Sequence, residues 1–169
     1  MNDVPERLLQ LIYFMLPAYV ANMAPPFAKY WPGWNAPIAA RQLGTHKTVI
    51  GFAFGVVAAV PVAFIQSRIS WTAAIVDYDD WLPLGVRFGI GAMAGDSLKS
   101  LVKRRLGIRP GAPWVPFDQL DFVVGALVLI GGRVRLAALD YALILALTAV
   151  GHITVNHLAY ALGIRDTRW

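Results

Sequence analysis

Five long apolar stretches, set apart by charged loops, organise this chain: Leu8 to Phe27, Thr48 to Ile69, Trp81 to Leu101, Phe117 to Ile130 and Leu136 to Leu162. A helix that crosses a bilayer needs about 20 mostly apolar residues, so the pattern predicts an all-α fold of about five transmembrane helices. The fourth stretch is short for that distance. It predicts a helix that is partly re-entrant or that continues into the loop before it. Glycines recur through the stretches, at Gly51, Gly55, Gly85, Gly89, Gly91, Gly95, Gly125, Gly131 and Gly132. No hydrophobic force draws helices together inside a bilayer, and small residues let their backbones approach closely instead. The spacing Gly91-Ala-Met-Ala-Gly95 is such a packing face.

Composition agrees with the pattern. Of 169 residues, 57% are hydrophobic and 15% charged, with a mean hydropathy of +0.55, whereas soluble domains carry roughly 25% charged residues. Five spans would use most of the length, so residues 1–169 are expected to form a single integral-membrane domain. The chain opens with Asp3 and Glu6 rather than a basic region, and no small-residue cleavage site follows the first apolar run. That run is expected to be a permanent span and not a signal peptide. The absence of cysteine excludes disulfides and thiolate metal sites and leaves oxygen and histidine ligands for any ion.

Lysine and arginine predict the orientation. Lys29, Arg41 and Lys47 lie between the first two stretches; Lys103, Arg104, Arg105 and Arg109 follow the third; Arg165 and Arg168 end the chain. Excess Lys and Arg marks cytoplasmic loops. The other side holds Arg7, Arg68, Arg133 and Arg135 with the acidic residues Asp77, Asp79 and Asp80. An odd number of spans then puts the N-terminus outside and the C-terminus in the cytoplasm, with the plasma membrane the expected location. The net charge of +5 could suggest nucleic acid, but the basic residues sit at helix ends without interleaved exposed aromatics, so no nucleic-acid partner is expected.

The segment Gly95 to Asp121 places its charges between apolar spans, where ionisable groups usually face a bundle interior or an aqueous cavity and mark function. On a helix, Asp96, Lys99, Ser100 and Lys103 stand at i, i+3, i+4 and i+7 and share one face. After a turn marked by Gly107, Pro110, Gly111, Pro113 and Pro116, Asp118 and Asp121 share a face at the start of the fourth stretch. Three carboxylates converging beside lysines and arginines suit Mg²⁺ held by one or two carboxylates together with substrate phosphates. Spacing alone equally allows a bland account. In it Lys103, Arg104 and Arg105 are topology signals, Asp118 is an N-cap, and Asp96 pairs with Lys99.

A second polar patch on the same side favours the first account. Gly44-Thr-His46-Lys47-Thr48-Val-Ile-Gly51 opens the second stretch and offers a lysine, a hydroxyl and backbone N–H groups at a helix N-terminus, a plausible phosphate seat. It lacks the spacing of a Walker A loop. Asn22 precedes Pro25-Pro26, which must break or kink the first helix, and an amide at a broken helix can line a polar cavity or bond a neighbouring helix. His152 and His157 lack the i, i+4 spacing of a metal pair and are expected to be interhelical hydrogen-bonders. His46, adjacent to Lys47, is within reach of a phosphate there.

These residues carry a family resemblance that covers nearly the whole chain. Gly95-Asp96, Ser100, Lys103-Arg104, Gly107 and Asp118-Gln-Leu-Asp121 resemble the cytidylyltransferase signature of CDP-diacylglycerol synthases, which runs GD, S, KR and then D-R-x-D. Lys47-Thr48-x-x-Gly51 resembles that family's K-T-x-x-G element. The small size, Pro17-x-Tyr19-x-x-Asn22-x-x-Pro25, Leu43-Gly44-x-x-Lys47-Thr48 and Pro116-Phe-Asp118-Gln-Leu-Asp121 are more similar to the CDP-archaeol synthase family. The His-Gly-Gly stretch that precedes D-R-x-D in the bacterial enzymes is missing, which favours the archaeol branch. Val49 and Ile50 stand where Trp and Arg often follow Lys-Thr in that branch, a departure that bears on the lipid.

The resemblance implies a nucleotidyltransferase in which CTP and a lipid phosphate give a CDP-lipid and pyrophosphate. The implied lipid is the isoprenoid 2,3-bis-geranylgeranyl-glycerol 1-phosphate. It implies Mg²⁺ as cofactor, with Asp96 and Asp118 as ligands and Asp121 as a further or outer ligand. Lys47, Lys99, Lys103 and Arg104 would bind triphosphate or lipid phosphate, and Asn22, Thr48 and Ser100 would orient oxygens or the base. The expected partners are CTP, the isoprenoid glycerol phosphate and membrane lipids. A phosphatidate cytidylyltransferase for diacyl lipids would share this headgroup chemistry. A small ion-coupled transporter would also put carboxylates and broken helices in a membrane, but near the midplane and with internal repeats.

Overall fold

A computed structural model describes residues 4–109 and 112–161; Pro110, Gly111, Leu162 and the tail arginines Arg165 and Arg168 lie outside the described residues. The apolar stretches fold as helices in the predicted order. These are α1 (Val4–Met23), α3 (Val49–Ile69), α4 (Trp81–Arg105), α5 (Phe117–Ile130) and α6 (Ala138–Ala161), with a single-turn α2 (Ala40–Leu43) in the first loop. Among the described residues no strand is present, and the one isolated bridge pairs Pro37 with Thr48.

Helix ends follow local chemistry. Pro25 and Pro26 lack the N–H that a continuing helix needs, so α1 stops at Met23 and a 3-10 turn, Pro25–Tyr30, replaces the last turn of the predicted first span. Thr48 caps α3, its Oγ1 accepting from the Gly51 N–H at 3.1 Å. α4 runs to Arg105, four residues past the apolar stretch, because Lys103, Arg104 and Arg105 complement the negative end of the helix dipole.

α4 is the central helix, and its glycines face two neighbours. A Cβ at Gly89 would lie 2.6 Å from Val56 Cα, and one at Gly85 2.8 Å from Val60 Cα, both on α3. One helical turn further, the Gly91–Gly95 face meets α5: a Cβ at Gly91 would lie 2.7 Å from Ala126 Cα, and one at Gly125 2.2 Å from the Gly91 carbonyl oxygen. Here the small residues bring backbone against backbone. α1 closes the bundle through edge-to-face ring pairs, Phe14 with Phe88 on α4 at 5.3 Å and Tyr19 with Phe122 on α5 at 6.0 Å.

Polar clasps tie α1 to its other neighbours. The Arg7 guanidinium donates to both carboxylate oxygens of Asp140 at the start of α6, at 2.9 and 2.5 Å. Tyr19 and Thr148 hydroxyls bond at 2.9 Å, and the Gln66 amide on α3 donates to the Tyr13 carbonyl at 2.6 Å. Each clasp satisfies a polar group that would otherwise be costly in an apolar interior.

The apolar helices are left largely uncovered. Three segments, 4–30, 49–69 and 138–158, are long and apolar enough to cross a membrane, yet only 28% of the second and 17% of the third is buried within the protein. Water does not tolerate so much contiguous apolar surface on a monomer, whereas lipid does, and a helix satisfies its backbone internally in lipid. The chain is an all-helical multi-pass membrane protein. α5, with 14 residues, is only about 21 Å long at 1.5 Å per residue, and the last turns of α4 carry its charges.

Candidate active site

The α4–α5 crossing determines which charges meet. Gly95 rests on the backbone of Asp121, so the neighbouring Asp96 on α4 stands beside Asp118 and Asp121 on the first turns of α5. Lys99, one turn beyond Asp96, has its Nζ 3.3 Å from Asp96 Oδ1, 3.1 Å from Asp118 Oδ1 and 2.8 Å from Asp121 Oδ2. Lys103, the next turn along, donates to both oxygens of Asp118 at 2.9 and 3.0 Å and to the Ala112 carbonyl at 2.6 Å. Lys47 pairs with the second oxygen of Asp96. Three carboxylates therefore alternate with three ammonium groups, a stronger arrangement than the separate pairs and solvated charges of the bland account. The side chain of Lys103 is only 8% exposed, so it is not a loop charge that merely signals topology.

Asp118 is not an N-cap either. Pro116 occupies that position without a side-chain cap, and Asp118 instead accepts the Trp114 N–H at 2.5 Å, which ties the preceding loop to the cluster. Asp121 accepts the Phe122 N–H at 2.6 Å.

The predicted phosphate seat at the N-terminus of α3 has a different form. The Val49 N–H donates to the Ala36 carbonyl at 3.0 Å, the Ile50 N–H to Asn35 Oδ1 at 3.2 Å, and the Gly51 N–H to Thr48 Oγ1. With those donors satisfied within the protein, the helix end is closed to an anion and only the Lys47 ammonium remains for one. Residues 36–38 pair with 47–49, and the Ile38 N–H bonds the Lys47 carbonyl at 2.8 Å. This pairing holds Lys47 over α4. The hydroxyls of Thr48 and Ser100 are likewise engaged locally, Thr48 as cap and Ser100 donating to the Asp96 carbonyl at 2.9 Å.

A cleft of about 350 Å³ opens beside the cluster, lined by Lys47, Lys99, Ser100, Lys103, Arg104 and Asp118, and also by His46, Gln119, His152 and Asn156. Six of the ten predicted site residues line this cleft, Asp96 and Asp121 stand against it through their ion pairs with Lys99, and Thr48 lies with Asp96 in a smaller pocket that shares Lys47. Asn22, at the end of α1, does not line the cleft. Gln119 was missed. It is 4% exposed, and its Oε1 has no hydrogen-bond partner, as is also true of Arg104 Nε. His152 and Asn156 bring α6 to the cleft, and their rings and amides bond along that helix at 3.1 Å; His157 likewise bonds the Ile153 carbonyl of its own helix at 2.8 Å. Polar residues at i and i+4 in an apolar span were the available signal.

The donor chemistry suits a hard cation, since Asp96, Asp118 and Asp121 present carboxylate oxygens to a common point. That point is the Lys99 ammonium. Among the described residues no three acidic or histidine side chains are grouped so as to hold a metal ion as they stand.

The profile of CarS-like CDP-archaeol synthases matches residues 4–169. The chain belongs to this family. A CDP-archaeol synthase of Methanosphaerula palustris is 37% identical over 92% of this chain and 100% of its own length. One of Thermofilum pendens is 34% identical, covering 98% and 83%, and one of Sulfolobus acidocaldarius is 34% identical, covering 96% and 98%. A solved structure, described as an intramembrane enzyme for archaeal membrane lipid biosynthesis, superposes with a TM-score of 0.75 at 30% identity over 88% of this chain and 94% of that one. For a CDP-archaeol synthase family member, a cleft rich in ammonium groups at one end of a lipid-exposed bundle is the expected chemistry: a site for a polyanion at a membrane edge.

Proposed function

We propose that the chain is a membrane cytidylyltransferase that joins CTP to 2,3-bis-geranylgeranyl-glycerol 1-phosphate, forming a CDP-archaeol-type lipid and pyrophosphate. The observation that carries this reading is the alternation of Lys47, Lys99 and Lys103 with Asp96, Asp118 and Asp121 beside a cleft, in a chain that matches the family from residue 4 to residue 169.

A lipid-phosphate oxygen attacks the α-phosphorus of CTP in line, the bond from that phosphorus to the β-phosphate bridge breaks, and its electrons leave with pyrophosphate. The nucleophile is already anionic, so little acid–base work is required, and catalysis is positioning and charge stabilisation. Lys47, Lys99 and Lys103 exchange carboxylate partners for phosphate oxygens and, with Arg104, hold the reacting groups in line. Mg²⁺, with Asp96 and Asp118 as ligands and Asp121 behind them, would supply further charge to the nonbridging and leaving oxygens. Gln119, whose buried amide oxygen has no hydrogen-bond partner, is the group we assign to the cytosine edge, ahead of Asn22. The lipid tails remain among the helices and the surrounding bilayer.

In this reading α1, α3, α4, α5 and α6 cross the plasma membrane as one domain. The N-terminus lies outside and the cleft opens to the cytoplasm, where CTP is supplied. Pyrophosphate release from CTP by the purified chain, with the isoprenoid and diacyl glycerol phosphates in competition, tests the function. Release that needs the isoprenoid lipid is expected; a preference for phosphatidate would reassign the substrate, and no release with either lipid would overturn the enzyme.

A further inference from the structure

Lys99 is the one cation, among the described residues, that touches all three carboxylates, and it is the sole ion-pair partner of Asp121. Its side chain is 15% exposed and that of Asp121 5%, so the contact is mostly removed from water. The ammonium lies where the oxygens of Asp96, Asp118 and Asp121 converge, the position a divalent ion would need. A tethered ammonium and a metal ion cannot share that point. At short range in a half-buried setting, like charges repel strongly and solvent screens them little.

Lys99 also lines the cleft that holds Lys47, Lys103 and Arg104. A lysine ammonium is a compact charge on a flexible four-carbon stem, so rotation of that stem can move it from the carboxylates to an anion in the cleft. The charge balance opposes a metal ion arriving alone. Three carboxylates already face three ammonium groups, and an added dication would leave the cluster strongly positive. A polyphosphate arriving with the metal removes that excess and gives Lys99 new partners.

Building on the cytidylyltransferase reading, we propose that Lys99 acts as a positioning residue that keeps the three-carboxylate cluster closed to divalent metal until a nucleotide triphosphate draws its ammonium away, so that metal and nucleotide bind as a unit. The enzyme then does not load metal in the absence of CTP. Metal affinity and nucleotide affinity are coupled reciprocally, as linkage requires, and the coupling passes through one side chain.

The test is Mn²⁺ binding to the full chain in detergent, followed by electron paramagnetic resonance, with and without CTP. Wild-type protein is expected to bind Mn²⁺ weakly alone and at least tenfold more tightly with CTP. Lys99→Gln, which is one atom shorter and keeps an N–H donor group but removes the charge, is expected to bind Mn²⁺ at least tenfold more tightly than wild type without nucleotide. Lys99→Arg should remain weak. Lys47→Gln is the control for general electrostatics, because it removes a charge from Asp96 alone, and it should change nucleotide-free Mn²⁺ affinity far less. Unchanged Mn²⁺ affinity in Lys99→Gln, or equal tightening by Lys47→Gln, overturns the proposal. Should Lys99→Gln not fold, Lys99→Met takes its place. If neither folds, the wild-type comparison decides, and Mn²⁺ bound as tightly without CTP as with it overturns the proposal. The nucleotide-free measurement needs no turnover. Absence of CTP-dependent pyrophosphate release would therefore sink the functional reading separately.

Discussion

A Cβ placed on Gly95 would lie 2.2 Å from the carbonyl oxygen of Asp121, so a backbone-to-backbone contact between α4 and α5 sets the separation of the carboxylates on either side of the cleft. Gly95→Ala must push the helices apart. Overpacking of this kind typically costs about 1–3 kcal/mol in stability. A displacement near 1 Å at a reacting centre can cost on the order of a hundredfold in rate. CTP-dependent pyrophosphate release by the folded variant checks this, and activity close to wild type would show that the crossing does not set the site geometry.

Asp96→Asn and Asp118→Asn should each fold and each lose nearly all turnover. Both carboxylates sit among lysines that the variants would leave less constrained, and loss of a metal ligand removes charge stabilisation equivalent to roughly a hundredfold or more in rate. Assay at saturating Mg²⁺ is the check. Either variant that keeps more than a tenth of the wild-type rate takes that carboxylate out of the site.

Gln119 and Lys47 should fail in different ways. Gln119→Ala is expected to raise KM for CTP and to shrink the preference for CTP over UTP by about tenfold, the equivalent of one hydrogen bond of about 1.4 kcal/mol. Lys47→Ala removes a phosphate contact and no base contact, so it should weaken use of both nucleotides and leave their ratio alone. The ratio of kcat/KM values for the two nucleotides separates the cases. An unchanged ratio in Gln119→Ala would return base reading to Asn22 or to backbone groups.

The basic loops at residues 28–47 and 103–116 meet at one end of the bundle through the Lys47–Asp96 and Lys103–Asp118 pairs. Single cysteines introduced at Arg41 and Arg109 should therefore react from the same face of sealed vesicles, which is the cytoplasmic one in the orientation proposed above. Labelling from opposite faces would be incompatible with one composite cleft.

The helices were legible in the sequence because their signals are local. Apolar runs set where α1, α3, α4, α5 and α6 form, Pro25-Pro26 ends α1, and Thr48 caps α3. The same holds for the stripe Asp96, Lys99, Ser100, Lys103, since helical period alone puts these residues on one face. Partnership was not legible. That Lys47 pairs with Asp96, 49 positions away, depends on residues 36–38 folding back along 47–49. That pairing also seals the α3 N-terminus, where a backbone phosphate seat was predicted. Lys99 was read as a phosphate ligand and lies at the meeting point of three carboxylates, a position created by the Gly95–Asp121 contact between two helices. Gln119, His152 and Asn156 join the cleft only because α5 and α6 present those faces to it. Sequence periodicity states which residues share a helix face. Which face meets which is decided by close packing between helices, a property of pairs of surfaces that no single stretch of chain contains.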